Sequence, residues 1–447
     1  MSRTSRCSIV PPYLLRQLAT TTPAEADRWE RMLAVDADLR LRRATGPVLP
    51  ARQGLAPVGP DFVVHTAANT STLPGRVVRT AGDPASGDLA VDEAADGIAA
   101  ALALYAEVWD RDSYDDAGVT VSTSVHFERG YANAFWDGSQ LVFGDGDGTV
   151  FDRMTKAVDV LAHELAHAVT ERTAGLVYEG QSGALNESMS DVVGSCLKQR
   201  LLGQDAGEGD WLIGAGLFLP GVRARGLRDM AAPGTAYDDP ALGRDPQPAH
   251  LDDYVDTPDD NGGVHLNSGI PNRAFHLAAT AIGGSAAQGA GRIWYAVLTG
   301  DLDARADFAT FAAATVAAAG EHADVVSGAW TSGGVMPGQP RRADRGGVAH
   351  LPAGQGVVSV HRTGGFAGLA ADGFLDLQST DERVSEVQSL VERVDLRAVP
   401  GGTPRPDMYL YDFDLCGDCK AVPEHQLTPD LRRVADLLLG GPPPPPG

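Results

Sequence analysis

The sequence predicts an α+β protein of two lobes, a β-rich one followed by a helical one, with a leader in front and a small α/β module behind. Three observations predict it. From Phe62 to Val150, short alternating apolar runs are separated by turn residues, with one Ala-rich helix near Asp92–Trp109. From Asp152 to about Trp330 apolar residues recur at helical spacing. Residues 357–440 return to alternation, like a small sheet with helices. At 447 residues the chain exceeds one ordinary core, and about three domains are expected.

Residues 1–58 read as leader and linker: a Pro-Pro-Tyr element at 11–13, then a charged helix from about Ala24 to Arg43. GPVLPARQGLAPVGP (46–60), with four prolines and three glycines, has linker composition. In the β-rich lobe (59–155), Val119–Val125 and Gln140–Phe143 read as strands. The GDGDG run at 144–148 reads as a tight turn, because it lacks the spaced ligands and distal Glu of an EF-hand loop. In the helical lobe (156–335) helices are expected over Asp159–Thr173, Ala184–Leu202, Asn272–Ala281 and Asp307–Ala319. An irregular acidic loop, Tyr237–Gly263, interrupts them, and its length suggests function. A second linker (336–356) leads to the module at 357–440, with helices near Asp381–Val394 and Pro429–Leu439. The Pro-rich tail (441–447) favours solvated polyproline conformation.

Composition narrows the function. Hydrophobic content of 43% suffices for burial, and a formal charge of −23 with no basic stripe argues against nucleic acid. Arg3 and Arg6 are followed by an apolar run that Pro11-Pro12 and Arg16 break, so no secretory h-region is expected. No apolar run of membrane-spanning length is present either. Cytoplasmic synthesis is expected, with any export by a non-classical route. Four cysteines (Cys7, Cys196, Cys416, Cys419) are too few and uneven for a disulfide scaffold.

The chemistry concentrates at His163-Glu164-Leu165-Ala166-His167. On a helix, His163 and His167 stack on one face and can reach one metal ion, while Glu164 is rotated about 100° away. A carboxylate there can hold and deprotonate a water. Glu187, on a following helix, can supply a third ligand, giving a His2Glu zinc site with one position open, the catalytic kind. Asp191, one turn beyond Glu187, is placed to accept the second ring N–H of a ligand histidine.

These residues lie within HELAHAVTERTAGLVYEGQSGALNESMSD (163–191), and with NAFWDGSQLVFGDGDG (133–148) and DNGGVHLNSGIPNRAF (260–275) the chain resembles the thermolysin family of metallopeptidases from about Thr66 to Val335. The resemblance implies zinc on His163, His167 and Glu187, with Asn186 and Asp191 behind the ligands and Glu164 activating the water. It implies that His265 and Tyr178 stabilise the oxyanion and that Asp260 orients His265. Seen alone, His265 would read as a loop histidine and Tyr178 as a core aromatic. Asn133 and the Ala134 backbone match the substrate main-chain clamp, and Arg228 matches an arginine that binds a substrate carbonyl. Phe151, Met154, Val160 and Leu227 would line the S1′ pocket, which implies cleavage before Leu, Phe or Ile. One departure stands out. Lys198, Leu212 and Ala215 occupy three positions of the family's paired calcium site, leaving Asp159 and Asp210. A lysine ammonium would fill the space of a cation, so the paired Ca²⁺ site is expected to be absent.

Two flanking segments carry further resemblances. RCSIVPPYLL (6–15) and DPQPAHLDDYVDT (245–257) resemble the protealysin-like branch, in which the leader is a propeptide covering the cleft; cleavage within 46–60 would follow. Cys7 could be a thiolate ligand closing the zinc site or a small buried apolar residue. The run HRTGGFAGL (361–369), with LVERVDLRAVP (390–400), PDMYLYDFDL (406–415) and VPEHQL (422–427), resembles emfourin-like inhibitors of such peptidases. Such a module would act in cis; an accessory folding or substrate-binding module is the other reading. Cys416-Gly417-Asp418-Cys419 reads as a hairpin turn or a reversibly oxidised pair. The expected protein is a zinc endopeptidase made as a self-processing zymogen, acting on peptides and proteins. Its partners in cis would be its own propeptide and C-terminal domain, with no nucleic acid and no membrane. The alternative is a latent peptidase whose C-terminal module binds partners. A zinc exopeptidase is disfavoured by the internal anchors Asn133 and Arg228.

Overall fold

A stripe of Leu14, Leu15 and Leu18 behind a proline-started turn builds the first element, α1 (Pro12–Thr21). Proline suits a helix start, where its missing N–H is not needed. The computed structural model describes residues 8–45, 61–339 and most of 357–439. The chain divides into two compact units, Met1–Arg341 and Arg342–Gly447. The leader therefore holds two helices rather than a proline element and one helix, because α2 (Ala26–Thr45) follows α1 directly. Trp29 of α2 is fully buried and its indole donates to Thr22 Oγ1 at 2.9 Å. Cys7 and the linker at 46–60 lie outside the described residues.

Five strands form the sheet of the first unit: β1 (Phe62–Thr70), β2 (Arg76–Thr80), β3 (Val121–Phe127), β4 (Ala134–Trp136) and β5 (Leu141–Phe143). Their order is β2-β1-β3-β5-β4, with β1, β3 and β5 parallel and the outer two antiparallel. This leaves β4 as an edge. The Ala-rich helix, α3 (Leu89–Trp109), starts three residues before its predicted boundary, where the Asp88 carboxylate accepts from the Ala90 and Val91 amides. The GDGDG run is a turn: the Asp147 carboxylate accepts from the Val150 and Phe151 amides. Gly146 there has φ 78°, and a Cβ would come within 2.4 Å of the Phe151 carbonyl oxygen.

The helical part is built on α4 (Val158–Arg172) and α5 (Gly180–Leu202), both buried over most of their circumference. Gly194 allows their approach, since a Cβ there would lie 2.6 Å from the Asp159 carbonyl oxygen. Two short ladders follow, β6 (Leu212–Ile213) with β7 (Arg228–Asp229), and β8 (Asp238–Asp239) with β9 (Gly243–Arg244). Then come α6 (Asp260–Asn267), α7 (Gly269–Ile282), α8 (Ala290–Thr299), α9 (Phe308–Ala318) and α10 (Ala323–Ser332). Sequence reading found α7 and α9 but not α6, α8 or α10. Three consecutive left-handed residues, Asn261 to Gly263, interrupt α6, and α8 and α10 are each only ten residues long. Among the described residues no helix is long and apolar enough to cross a membrane.

The second unit pairs β10 (Val357–Gly364), β11 (Ala371–Asp376), β12 (Tyr409–Leu415) and β13 (Asp418–Pro423) in the order β11-β10-β12-β13. Every pairing is antiparallel, so its layering is α+β rather than α/β. α11 (Val384–Val391) and α12 (Pro429–Leu439) contribute Val387, Leu390, Leu431 and Val434 to its own apolar core. Cys416, Gly417 and the tail beyond Leu439 lie outside the described residues.

Lys198 of α5 ties the central helices to the loop after them. Its ammonium lies 3.3 Å from Asp159 Oδ2 and 2.6 Å from Asp210 Oδ1, and also donates to the Leu212 carbonyl. The Asp159 carboxylate is buried, so its charge depends on that cation. Lys198→Met keeps the stem and removes the charge. It is expected to lower stability by about 2–3 kcal/mol, read as a lower urea midpoint; an unchanged midpoint would refute the role.

Candidate active site and metal centre

α4 presents His163 and His167 to Glu187 of α5. His163 Nε2 and His167 Nε2 are 3.0 Å apart, and the Glu187 carboxylate lies 3.5 Å from the first and 3.7 Å from the second. These ligand atoms fall within 4.8 Å of one another and form the one such cluster among the described residues. Behind them, His163 Nδ1 pairs with Asp191 Oδ1 at 2.8 Å and His167 Nδ1 with Asn186 Oδ1 at 2.9 Å. With both Nδ1 atoms committed, both Nε2 lone pairs converge on one point. At 3.0 Å they repel unless positive charge lies between them.

The surroundings supply a place for that charge. Burial disfavours the His163 imidazolium, yet Asp191 and Glu187 outweigh it and lift the ring to about 9. Burial drives His167 down to about 3. Burial also opposes the Glu187 charge, but His265, His163 and His167 hold its carboxyl well below the usual range. Two imidazoles and one carboxylate around a cation-sized gap fit zinc.

Glu164 stands beside this cluster. Its Oε2 accepts the Trp136 amide at 2.9 Å, and the Trp136 indole is held by Glu171 at 3.0 Å. Its Oε1 is buried and takes no hydrogen bond among the described residues. Burial pushes the carboxyl up to about 8, the direction that suits a group taking and returning a proton near neutrality.

On the far side, His265 Nδ1 donates to Asp260 Oδ1 at 2.7 Å, and the His265 amide donates to Asp260 Oδ2 at 3.0 Å. Asp260 reaches back because it and the next three residues all have positive φ. Burial opposes the His265 charge, while Asp260 and Glu187 outweigh it and raise the ring. The Tyr178 hydroxyl donates to Glu187 Oε1 at 2.5 Å and lies 3.4 Å from His265 Nε2. Arg228 is buried and grips Asp191 twice, Nε to Oδ2 at 2.8 Å and Nη2 to Oδ1 at 2.7 Å. Phe151, Met154, Val160 and Leu227 are all buried in the apolar core of the first unit.

The leader runs through this site. The Ile9 amide donates to the Ala134 carbonyl at 3.1 Å and the Val10 amide to Asn133 Oδ1 at 2.9 Å. Asn133 Nδ2 donates back to the Val10 carbonyl at 3.1 Å, and Arg228 Nη1 to the Ile9 carbonyl at 3.1 Å. These contacts join the polar candidates around His163, Glu187 and Asp191 to the leader, whereas Phe151, Met154, Val160 and Leu227 share with them only the core of the first unit. Sequence reasoning missed Trp136, which holds Glu164, and Asn272, which donates to Asp191 Oδ2 at 2.8 Å. Both lie inside the thermolysin-like strings, as NAFW and GIPN, but their partners are 28 and 81 residues away.

Comparison with known proteins identifies the family. Models of the thermolysin metallopeptidase catalytic domain and alpha-helical domain match residues 64–171 and 174–335. The chain is 47% identical over 340 residues to an extracellular metalloprotease of Pectobacterium carotovorum subsp. carotovorum, covering 74% of this chain and 96% of that one. It is 43% identical over 319 residues to protease PrtS of Photorhabdus sp. (strain Az29), covering 69% and 85%. The solved precursor of protealysin, a metalloproteinase from Serratia proteamaculans, superposes with a TM-score of 0.65 at 46% identity. That match covers 74% of this chain and all of that one.

Asp191→Asn removes the anion that serves both His163 and Arg228. It is expected to weaken zinc binding about 10–100-fold in competition with a chromogenic chelator. It is also expected to cost about 3 kcal/mol in unfolding, because Arg228 stays buried without its partner. Unchanged zinc affinity would exclude the orienting role.

Proposed function

The chain belongs to the thermolysin family of metallopeptidases, and from that premise we propose that it is a zinc endopeptidase made as a zymogen, cutting before bulky apolar residues. The observation that carries the reading is the seat of the leader, whose Ile9 and Val10 take up Ala134, Asn133 and Arg228. Those groups are then unavailable to another peptide.

The division of labour follows from the geometry. A bound zinc ion, held by His163, His167 and Glu187, would supply Lewis acidity to the scissile carbonyl and to water. Glu164, with one oxygen fixed by the Trp136 amide, takes a proton from water with the other and returns it to the leaving nitrogen. His265 and Tyr178 present donors to the carbonyl oxygen as negative charge grows on it, and Asp260 aims His265 and favours its charged form. Asn133, the Ala134 carbonyl and Arg228 align the main chain on the leaving side. By the family resemblance the buried Phe151, Met154, Val160 and Leu227 would line the pocket on that side and favour an apolar residue there. Calcium at the family's paired site is not required in this reading, since Lys198 sits among Asp159, Asp210 and the Leu212 carbonyl.

The C-terminal unit is proposed to restrain the peptidase in cis, on the strength of its emfourin-like strings. A tether gives even a weak contact a high effective concentration, provided its geometry permits engagement.

A series of end-blocked peptides, varied at the residue after the scissile bond, tests the enzyme reading once the leader has been removed. Cleavage before Leu, Ile or Phe is expected, lost on chelation and reduced about 10²–10⁴-fold in Glu164→Gln with zinc retained. A preference for Asp or Lys at that position would refute the specificity. For the C-terminal unit, a chain ending at Val335 is expected to be more active than the full chain, and equal activity would end the inhibitory reading.

A further inference from the structure

We infer that the leader lies in the cleft as a substrate in register, with the Ser8–Ile9 peptide bond presented to Glu164, and that the zinc-loaded protein hydrolyses this bond in its own chain without releasing the leader. This rests on the proposed endopeptidase function and goes beyond it by naming the bond.

Ser8 pairs antiparallel with Phe135 of β4, so the segment adds a strand to the sheet's edge. Successive carbonyls of an extended strand point to opposite sides. The Ser8 carbonyl accepts from His265 Nε2 at 3.1 Å, whereas the Ile9 carbonyl accepts from Arg228 on the other side. Val10 is held through both its amide and its carbonyl by the Asn133 side chain. Only the Ser8 carbonyl therefore faces the group that would stabilise an oxyanion. The Ile9 amide, donating to the Ala134 carbonyl, stands on the leaving side. Trp136, whose amide fixes Glu164, is the residue next to Phe135 in the same strand. The Ile9 side chain is fully buried within the apolar core of the first unit.

The step balances as a hydrolysis. Water adds to the Ser8 carbonyl carbon, the bond to the Ile9 nitrogen breaks, and Glu164 carries the water proton to that nitrogen. The products are a Ser8 carboxylate and an Ile9 ammonium. The chain on the C-terminal side of the break is anchored independently: Leu14, Leu15, Leu18 and Trp29 are buried, and Arg28 of α2 lies 3.4 Å from the buried Asp147 carboxylate. The new N-terminus at Ile9 thus stays in the cleft. Cutting this bond and opening the site are separate events.

The test is the intact mass and N-terminal sequence of the full chain, purified with chelator and followed after zinc addition at two concentrations about a hundredfold apart. Loss of residues 1–8 is expected, with a new N-terminus at Ile9. The rate should be equal at both concentrations because the bond is already in place. Glu164→Gln should keep the bond, and Ile9→Ala should slow its loss about tenfold or more. A readout independent of turnover is amide hydrogen exchange in metal-free Glu164→Gln. There Ile9 and Val10 should be protected, and Asn133→Ala should accelerate Val10. Fast exchange at both amides, a concentration-dependent rate, or cutting elsewhere with Ser8–Ile9 intact would overturn the register. Chains that retain the bond yet hydrolyse an end-blocked peptide would refute this inference and leave the proposed function standing. Chains that retain it and cut no such peptide, even after an added serine protease has nicked the 46–60 linker, would refute both.

Discussion

A single buried carboxylate holds the site together. Asp191 accepts from His163 Nδ1, from Nε and Nη2 of Arg228, and from Asn272 Nδ2. Burial pushes its carboxyl up, but Arg228 and His163 outweigh burial and hold it down at about 2. The same charge therefore fixes the tautomer of a candidate metal-ligand histidine and the position of the arginine that grips the leader. Because Glu187 and Asp191 are four residues apart on α5, the helix delivers a ligand and its support on one face. Neither charge of the Asp191–Arg228 pair can be removed alone without leaving the other uncompensated in the interior.

The edge strand β4 is the second constraint. An unpaired edge invites another strand, and here the chain supplies its own, with Ser8 opposite Phe135. Pro11 and Pro12 end that extension and start α1, whose leucines then bury themselves. Affinity for the cleft thus comes from two sources. Main-chain hydrogen bonds set register at Ile9 and Val10, and apolar burial of α1 and α2 holds the segment whether or not the strand is intact.

Two sites of the helical lobe meet buried negative charge in different ways. At the catalytic centre, His163, His167 and Glu187 leave a gap that calls for a positive charge. At the far end of α4, Lys198 brings its own to Asp159 and Asp210. A covalently attached ammonium, unlike a bound ion, cannot be stripped by chelation.

Much of this was legible in the chain itself. The i, i+4 histidines, the Glu187–Asp191 pair and the long helices around them are local patterns, and local patterns survive in sequence because the helix converts spacing directly into direction. The lysine at 198 could likewise be read as a cation in the wrong place for calcium. What the sequence could not supply were relations between distant residues. That Arg228 answers Asp191, that Trp136 fixes Glu164, and that Ser8 falls opposite His265 across 257 residues depends on how the sheet edge and α4 meet. The helix α1 was missed because its prolines signal a break locally, and only the apolar surface it covers makes a helix there favourable. Spacing along one helix is fixed by backbone geometry, whereas contacts between elements are fixed by packing, which no local pattern encodes.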